Sequence, residues 1–360
     1  MPLKGRIDLR SDTFTEPTPA MRQAMAECAV GDDVWEMDPT VKELEELGAS
    51  LFGKESSLFV PSSVMANLIA VMTHTSGRGE EILVGDKSHI SLYEQGNVST
   101  IGGVHVRTLK NAADGTFDIA ELKQKIRPNN VHFPVTSLVC LESTHNMCGG
   151  SVLSQEFIRN VRSEIPTEVK LHLDGARVFN ALAALDISPL EYTKDFDSIT
   201  VCLSKGLAAP IGSLLIGSAS FIAKGRRLRK ALGGGMRQAG VIACCGIIGL
   251  KEMSKRLSED HANAQVLYHH LKQISNIQIP APQTNIVKFS IPGINLDGLC
   301  KLFAQANIFL ITVDDGTAIR AVTHYHITRE DCQVGAEAMV DIITKVQAGL
   351  IQVQAGDRMY

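Results

Sequence analysis

The chain has 360 residues, more than one hydrophobic core usually spans, so two domains are expected. Its 35 Lys and Arg against 39 Asp and Glu leave a net charge of −4, which argues against nucleic acid or an anionic membrane surface as the main partner. The longest apolar run, residues 239–250, is interrupted by Gly246 and Gly249 and is too short to span a bilayer; it reads as a buried helix or a subunit contact.

The first six residues hold no apolar signal core, so no export signal is read. Cys28, Cys140, Cys148, Cys202, Cys244, Cys245, Cys300 and Cys332 include no C-x-x-C pair. They read as small core residues in a reducing compartment, by default the cytoplasm, rather than disulfides or zinc ligands, and no metal is expected.

Residues 7–15 form a short arm dense in hydrogen-bonding groups, Arg10, Ser11, Asp12 and Thr13. A solvated arm is the simpler reading, and Ser11 or Thr13 reaching a site is the other. A helix over residues 40–52 carries Val41, Leu44, Leu47 and Leu51 on one face. Leu58-Phe-Val60 then ends on Pro61-Ser-Ser-Val-Met-Ala-Asn67 and an apolar helical run. Small hydroxyl residues at a helix start offer unpaired N–H groups to a phosphate, or only an ordinary serine cap.

Ile82-Leu-Val84 leads to Asp86, His89, Tyr93 and Glu94, where a ring could stack on a flat cofactor. Leu138-Val-Cys-Leu141 ends on Glu142, and Ser154 caps the helix that follows. Residues 169–173 end on Asp174, and residues 199–203 end on Ser204 and Lys205. Five apolar runs thus end on polar groups, with helical segments between most of them. That repetition predicts an α/β fold, a mostly parallel sheet with one crevice at its strand ends.

Farther on, residues 224–230 are basic and precede Gly233-Gly-Gly-Met-Arg237. Three glycines allow close backbone approach and could set Arg237 as a phosphate clamp. A long helix over about 249–274 leads to a second domain. Its expected parts are strands at 286–289, 308–311 and 319–326, with Arg320 on the face opposite Ile319 and Ala321. A final helix opens with a Thr328–Asp331 capping box. The predicted division is an arm (1–16), a large domain (17–250) and a small C-terminal α+β domain (251–360).

Asp174 and Lys205, projecting from two strand ends into one crevice, suit pyridoxal phosphate (PLP): the lysine amine joins the aldehyde, and the acid pairs with the pyridine nitrogen. At this point a surface lysine and a helix-capping aspartate remain the alternative. Several further blocks bear on the choice: Asp8-Leu-Arg-Ser-Asp-Thr13, Gly31-Asp-Asp33, Gly85-Asp86 with His89 and Tyr93-Glu94, and Glu142-Ser-Thr-His-Asn146. They continue with His172-Leu-Asp-Gly-Ala-Arg177, Ser204-Lys-Gly206 and Leu232-Gly-Gly-Gly-Met-Arg-Gln-Ala-Gly240. Together they make the chain resemble the low-specificity L-threonine aldolases, PLP-dependent enzymes of fold type I, over nearly its whole length.

The resemblance implies cleavage of L-threonine or L-allo-threonine to glycine and acetaldehyde. Lys205 would carry the cofactor, Asp174 hold its ring nitrogen and His89 stack on the ring. Ser62, Ser63, Val64 and Ser204 would lie at the phosphate. Arg177 would contact the ring oxygen and the substrate carboxylate; Ser11 and Arg320 match other carboxylate contacts, and Tyr93 lies near the methyl group. Arg237 and Lys230 match phosphate contacts from a neighbouring subunit. His132 matches a second histidine, near the hydroxyl, also from across an interface, so a homo-oligomer, usually a tetramer, is implied. The base is His89, His132 or a water held between them, with a His-held water favoured. Val64 departs from the family, which usually has threonine there, so weaker or rearranged PLP binding is expected. The rivals are an aminotransferase or β-eliminating lyase on the same fold, or a non-catalytic scaffold.

Overall fold

The structure, a computed structural model, describes residues 5–353. Residues 1–4, within the stretch read as lacking an export signal, and residues 354–360 of the small domain lie outside the described residues. Within the described residues the chain divides into two units. One holds residues 16–255; the other holds the residues up to 15 together with those from 256 onward.

The larger unit is built on seven strands: β1 (Ser56–Val60), β2 (Glu80–Gly85), β3 (His105–Leu109), β4 (Val135–Glu142), β5 (Lys170–Gly175), β6 (Ser198–Cys202) and β7 (Ser213–Gly217). They lie in the order β1-β7-β6-β5-β4-β2-β3. Only β7 runs against its neighbours; the other pairings are parallel. Buried on both faces, such strands must be apolar throughout, and every residue of β6 and β7 is buried. The edge strand β3 alternates His-Val-Arg-Thr-Leu and is mostly half-exposed. It is the strand that a search for apolar runs misses.

Its helices include α1 (Pro39–Phe52), α2 (Ser63–His74), α3 (His89–Leu92), α4 (Gln155–Glu164), α5 (Val178–Leu185), α6 (Ala219–Ala231) and α7 (Gly240–Lys251), with others at Pro19–Glu27, Asn97–Thr100, Ile119–Lys125 and Pro189–Thr193. The Asp38 side chain starts α1 by accepting the Thr40 and Val41 N–H groups, and Gly53 stops it in the left-handed conformation. Ile69 and Ala70 of α2 pack with Leu58 of β1, Leu215 of β7 and Phe221 of α6. On its other side Val71 joins Ile82, Val84 and Leu138 beneath the sheet. α2 thus spans the core, with its N-terminus at the C-terminal end of β1.

In the smaller unit, β8 (Ile286–Phe289), β9 (Ile311–Val313) and β10 (Ala318–Val322) form an antiparallel sheet in the order β9-β10-β8. Helices α8 (Leu257–Leu271), α9 (Leu296–Gln305) and α10 (Arg329–Gln347) share its core, which includes Leu267, Phe289, Phe303, Ile319 and Met339. The capping box at Thr328 is present.

Three expectations change. The N-terminal stretch is no solvated arm: residues 8–12 are buried in this unit, and Ile7–Asp8 pairs in parallel with Ile308–Phe309. The run 308–311 is therefore two strands, its first part taken by the N-terminus and its second by β10. The long helix also breaks. A 3-10 turn at Met253–Arg256 separates α7 from α8, with Ser254 Oγ donating to Leu250 O at 2.7 Å. No Gly or Pro marks that break in the sequence.

Candidate active site

Four strand ends and one helix start converge. β5 ends on Asp174, which is 2% exposed, and Gly175. A Cβ on Gly175 would come within 2.6 Å of Thr200 O, so glycine is what lets β5 lie this close to β6. Asp174 Oδ1 accepts the Ala176 N–H at 3.1 Å, and Oδ2 accepts from Asn67 Nδ2 at 2.9 Å. Beyond β6, Ser204 and Lys205 are half-buried, with Ser204 Oγ 3.5 Å from Cys202 Sγ.

His89 opens α3 just after β2. Its backbone N–H donates to Glu142 Oε2 at 2.7 Å, which ties the end of β2 to the end of β4. Its ring Nδ1 lies 2.9 Å from Glu94 Oε1, and its ring is tilted against Tyr93, with centroids 5.7 Å apart. Burial disfavours a charge on this ring. The Glu94 hydrogen bond and the negative charges of Asp174 and Glu94 outweigh that effect and the opposing Lys205 charge, so the imidazole is raised above its ordinary value. Asp174 and Lys205 thus both act on His89. One donor atom each of His89, Glu94 and Asp174 falls within 4.8 Å of the others.

Glu142 Oε1 accepts the Asn146 N–H at 2.9 Å, and Asn146 Oδ1 accepts from Arg177 Nη1 at 3.5 Å. Arg177 is buried at the start of α5. Tyr93 is exposed, and its hydroxyl donates to Met147 Sδ at 3.2 Å.

At the start of α2, Ser62 Oγ accepts the Met65 N–H at 3.2 Å, so Ser62 is the cap. Ser63 Oγ donates to Ser213 Oγ at 3.2 Å, and Ser213 Oγ donates to Val201 O at 2.7 Å. The helix itself leaves the N–H groups of Ser63 and Val64 without acceptors.

Three other predicted residues of this unit are exposed. His132 is exposed in the loop before β4, at the opposite end of that strand from Glu142. Arg237 is exposed and paired to Asp32 at 2.9 Å. Lys230 is exposed and borders a cleft of about 640 Å³ lined also by Val34, Glu36, Arg226, Arg227 and Arg229. Ser11 and Arg320 belong to the smaller unit. There Ser11 Oγ accepts the Thr13 N–H at 3.2 Å, and Arg320 Nη2 donates to Arg10 O at 3.2 Å.

Sequence reasoning missed Asn67, Glu94 and His172 as site residues. Asn67 Nδ2 donates to Glu94 Oε1 at 2.8 Å as well as to Asp174, and Asn67 Oδ1 lies 3.2 Å from His172 Nε2. His172 Nδ1 meets Ser198 Oγ at 2.8 Å, and Ser198 Oγ meets His74 Nε2 at 2.7 Å. Burial is the main cause that lowers His172 to about 4 and His74 to about 3. Both are neutral rings behind the carboxylates. A lone amide in the apolar run of α2 and a histidine inside β5 were the available signals, since buried polar groups need partners.

Residues 8–291 match a family described as Beta-eliminating lyase. The chain is 45% identical over 334 residues to low-specificity L-threonine aldolase 1 of Arabidopsis thaliana, covering 90% of this chain and 93% of that protein. It is 40% identical over 326 residues to the low specificity L-threonine aldolase of Escherichia coli K12, covering 90% and 95%. The solved threonine aldolase of Leishmania major shares the fold, with a TM-score of 0.80 at 19% identity over 94% of this chain and 99% of that one.

Proposed function

The chain belongs to the beta-eliminating lyase family, and from that premise we propose that it is a PLP-dependent carbon–carbon lyase cleaving L-threonine and L-allo-threonine to glycine and acetaldehyde. The observation that carries this reading is that the buried carboxylate of Asp174 and the half-buried Lys205 follow adjacent, parallel strands at the same end of the sheet.

The residues present fit PLP by their donor chemistry. Asp174 offers a buried carboxylate to a ring nitrogen, and Lys205 offers an amine for covalent attachment. Ser63 and Val64 N–H groups, the Ser62 hydroxyl and Ser204 are available to a phosphate. Bound there, PLP supplies an electron sink at the substrate α-carbon.

The chain's own groups do the rest. Arg177 grips the substrate carboxylate, for which a planar guanidinium is suited. A water held by His89 takes the β-hydroxyl proton, which then reaches the ring. The Cα–Cβ bond breaks, the hydroxyl-bearing carbon leaves as acetaldehyde, and the α-carbon gains a proton to become glycine. Asp174, kept in place by Asn67 and the Ala176 N–H, would hold the cofactor's ring nitrogen.

We assign Lys230, Arg237 and His132, exposed in their own copy, to the site of a second copy, within a homotetramer. Among the described residues no helix is long and apolar enough to cross a membrane. The free cysteines suit a reducing compartment, and we place the protein in the cytoplasm.

Incubation of the PLP-loaded protein with L-threonine or L-allo-threonine alone tests the reading. Equimolar acetaldehyde and glycine are expected. Release of 2-oxobutanoate and ammonia would instead make it a β-eliminating lyase, and turnover that requires an added oxo acid would make it an aminotransferase.

A further inference from the structure

We infer that Glu94 is a positioning residue for the proposed reaction: held by Asn67, it fixes His89 through Nδ1 and so leaves Nε2 as the ring's proton acceptor. The inference rests on the aldolase reading for its chemistry, though not for its geometry.

An ionised carboxylate only accepts hydrogen bonds; burial raises Glu94 above its ordinary value, and its contacts with His89 and Asn67 oppose that. Two carboxylates meet Asn67 Nδ2, Glu94 at 2.8 Å and Asp174 at 2.9 Å, so the amide orientation is forced and each N–H serves one acid. Asn67 Oδ1 must then accept, and it accepts from the His172 Nε2–H at 3.2 Å. Glu94 Oε1 is thereby aimed at His89, 2.9 Å from Nδ1, and the donor between them is the ring. Tautomer and ring orientation follow from one buried bridge rather than from chance contact.

Glu94 is incompletely compensated for a buried acid. It is 2% exposed, its ion-pair partner among the described residues is His89, and its Oε2 has no hydrogen-bond partner there. Burying a carboxylate on such terms is costly. It sits five residues after His89 and is followed by two left-handed residues, Gln95 (φ 56°) and Gly96 (φ 62°). Such a conformation is uncommon for a residue other than glycine.

The charged and titratable groups facing His89 are Glu94 and Tyr93 from its own loop, Asp174 beyond β5, Lys205 beyond β6 and Glu142 at the end of β4. Burial disfavours the charged ring, but the Glu94 hydrogen bond and the charges of Asp174 and Glu94 more than offset burial and Lys205, and the imidazole lies above its ordinary value. Glu94 is the one among them that touches the ring by hydrogen bond.

The test uses the PLP-loaded protein and two readouts: NMR titration of the His89 ring, assigned by comparison with His89→Asn, and the pH profile of kcat/KM for L-threonine. In Glu94→Gln, which keeps the shape and loses the charge, the His89 midpoint should fall by about one unit or more, the acid limb should shift with it, and kcat should drop about tenfold. A merely structural Glu94 would lower kcat and the melting temperature while leaving the midpoint and the acid limb unmoved, and that result overturns the inference. The unaltered protein gives a second measurement should the variant fail to fold. Its His89 nitrogen shifts should report a protonated Nδ1 and an accepting Nε2; the opposite tautomer overturns the proposal. Absence of acetaldehyde from the unaltered protein refutes the aldolase reading alone, because the ring titration still decides the role of Glu94.

Discussion

The side-chain amide of Asn67 donates to Asp174 Oδ2 at 2.9 Å, joining two residues 107 apart in the sequence. α2 and β5 are thereby locked to each other at the point where the candidate cofactor's ring nitrogen would lie. The same amide serves Glu94, so one side chain sets the geometry of two acids.

Asn67→Ala should therefore weaken both stability and cofactor binding. Each lost bond to a charged group is worth about 1.5–3 kcal/mol. Urea unfolding of the PLP-free protein should show the first loss, and titration with PLP the second. Unchanged midpoints and affinity would remove Asn67 from the account.

Acid sensitivity should trace in part to His172. It is fully buried and lowered from its ordinary 6.5 to about 4, so in this range the unfolded chain binds more protons than the folded one. Its contribution is present above pH 6.5 and lost as pH falls from there toward 4, by about 3 kcal/mol in all. His172→Gln should flatten unfolding free energy against pH across that interval, measured by urea melts. A slope equal to that of the unaltered protein would contradict the assignment.

Val64 offers no hydroxyl at the start of α2, and the hydroxyls beside it are partly committed, Ser62 to the cap and Ser63 to Ser213. Val64→Thr should tighten PLP binding by about tenfold, the value of one added hydrogen bond to a charged phosphate. Equilibrium dialysis measures it; an unaltered dissociation constant would show that backbone N–H groups already satisfy the phosphate.

Arg229, at the end of α6, pairs with buried Asp33 at 2.7 Å and donates to Phe59 O at 2.7 Å. Arg229→Met strands an acid that burial already raises, at a cost of about 3–5 kcal/mol. Adding Asp33→Leu should recover most of the loss of melting temperature. If the double variant melts as low as the single one, the pair is not the cause.

Much of this was legible in the sequence, for a reason specific to parallel sheets. Strands buried on both faces write themselves as apolar runs, and their last residues point to the crevice. That rule found Asp174, Lys205, Glu142 and His89 together. It failed at β3, where His105 and Arg107 interrupt the apolar pattern of an edge strand. It failed again at 308–311, since only a tertiary partner decides that Ile308 pairs with Ile7 while Ile311 pairs with Arg320. Asn67 and Glu94 escaped because the amide that ties them together comes from 27 residues away, and a lone amide in an apolar run does not name its partners. A polar residue in an apolar run says only that some partner exists.

The central claim is that Lys205 holds the cofactor opposite Asp174. Borohydride treatment of the PLP-loaded protein, followed by proteolysis and mass mapping, tests it most directly. The reduced pyridoxyl group should appear on the peptide containing Lys205. Its appearance on another lysine, or on none, would contradict the account.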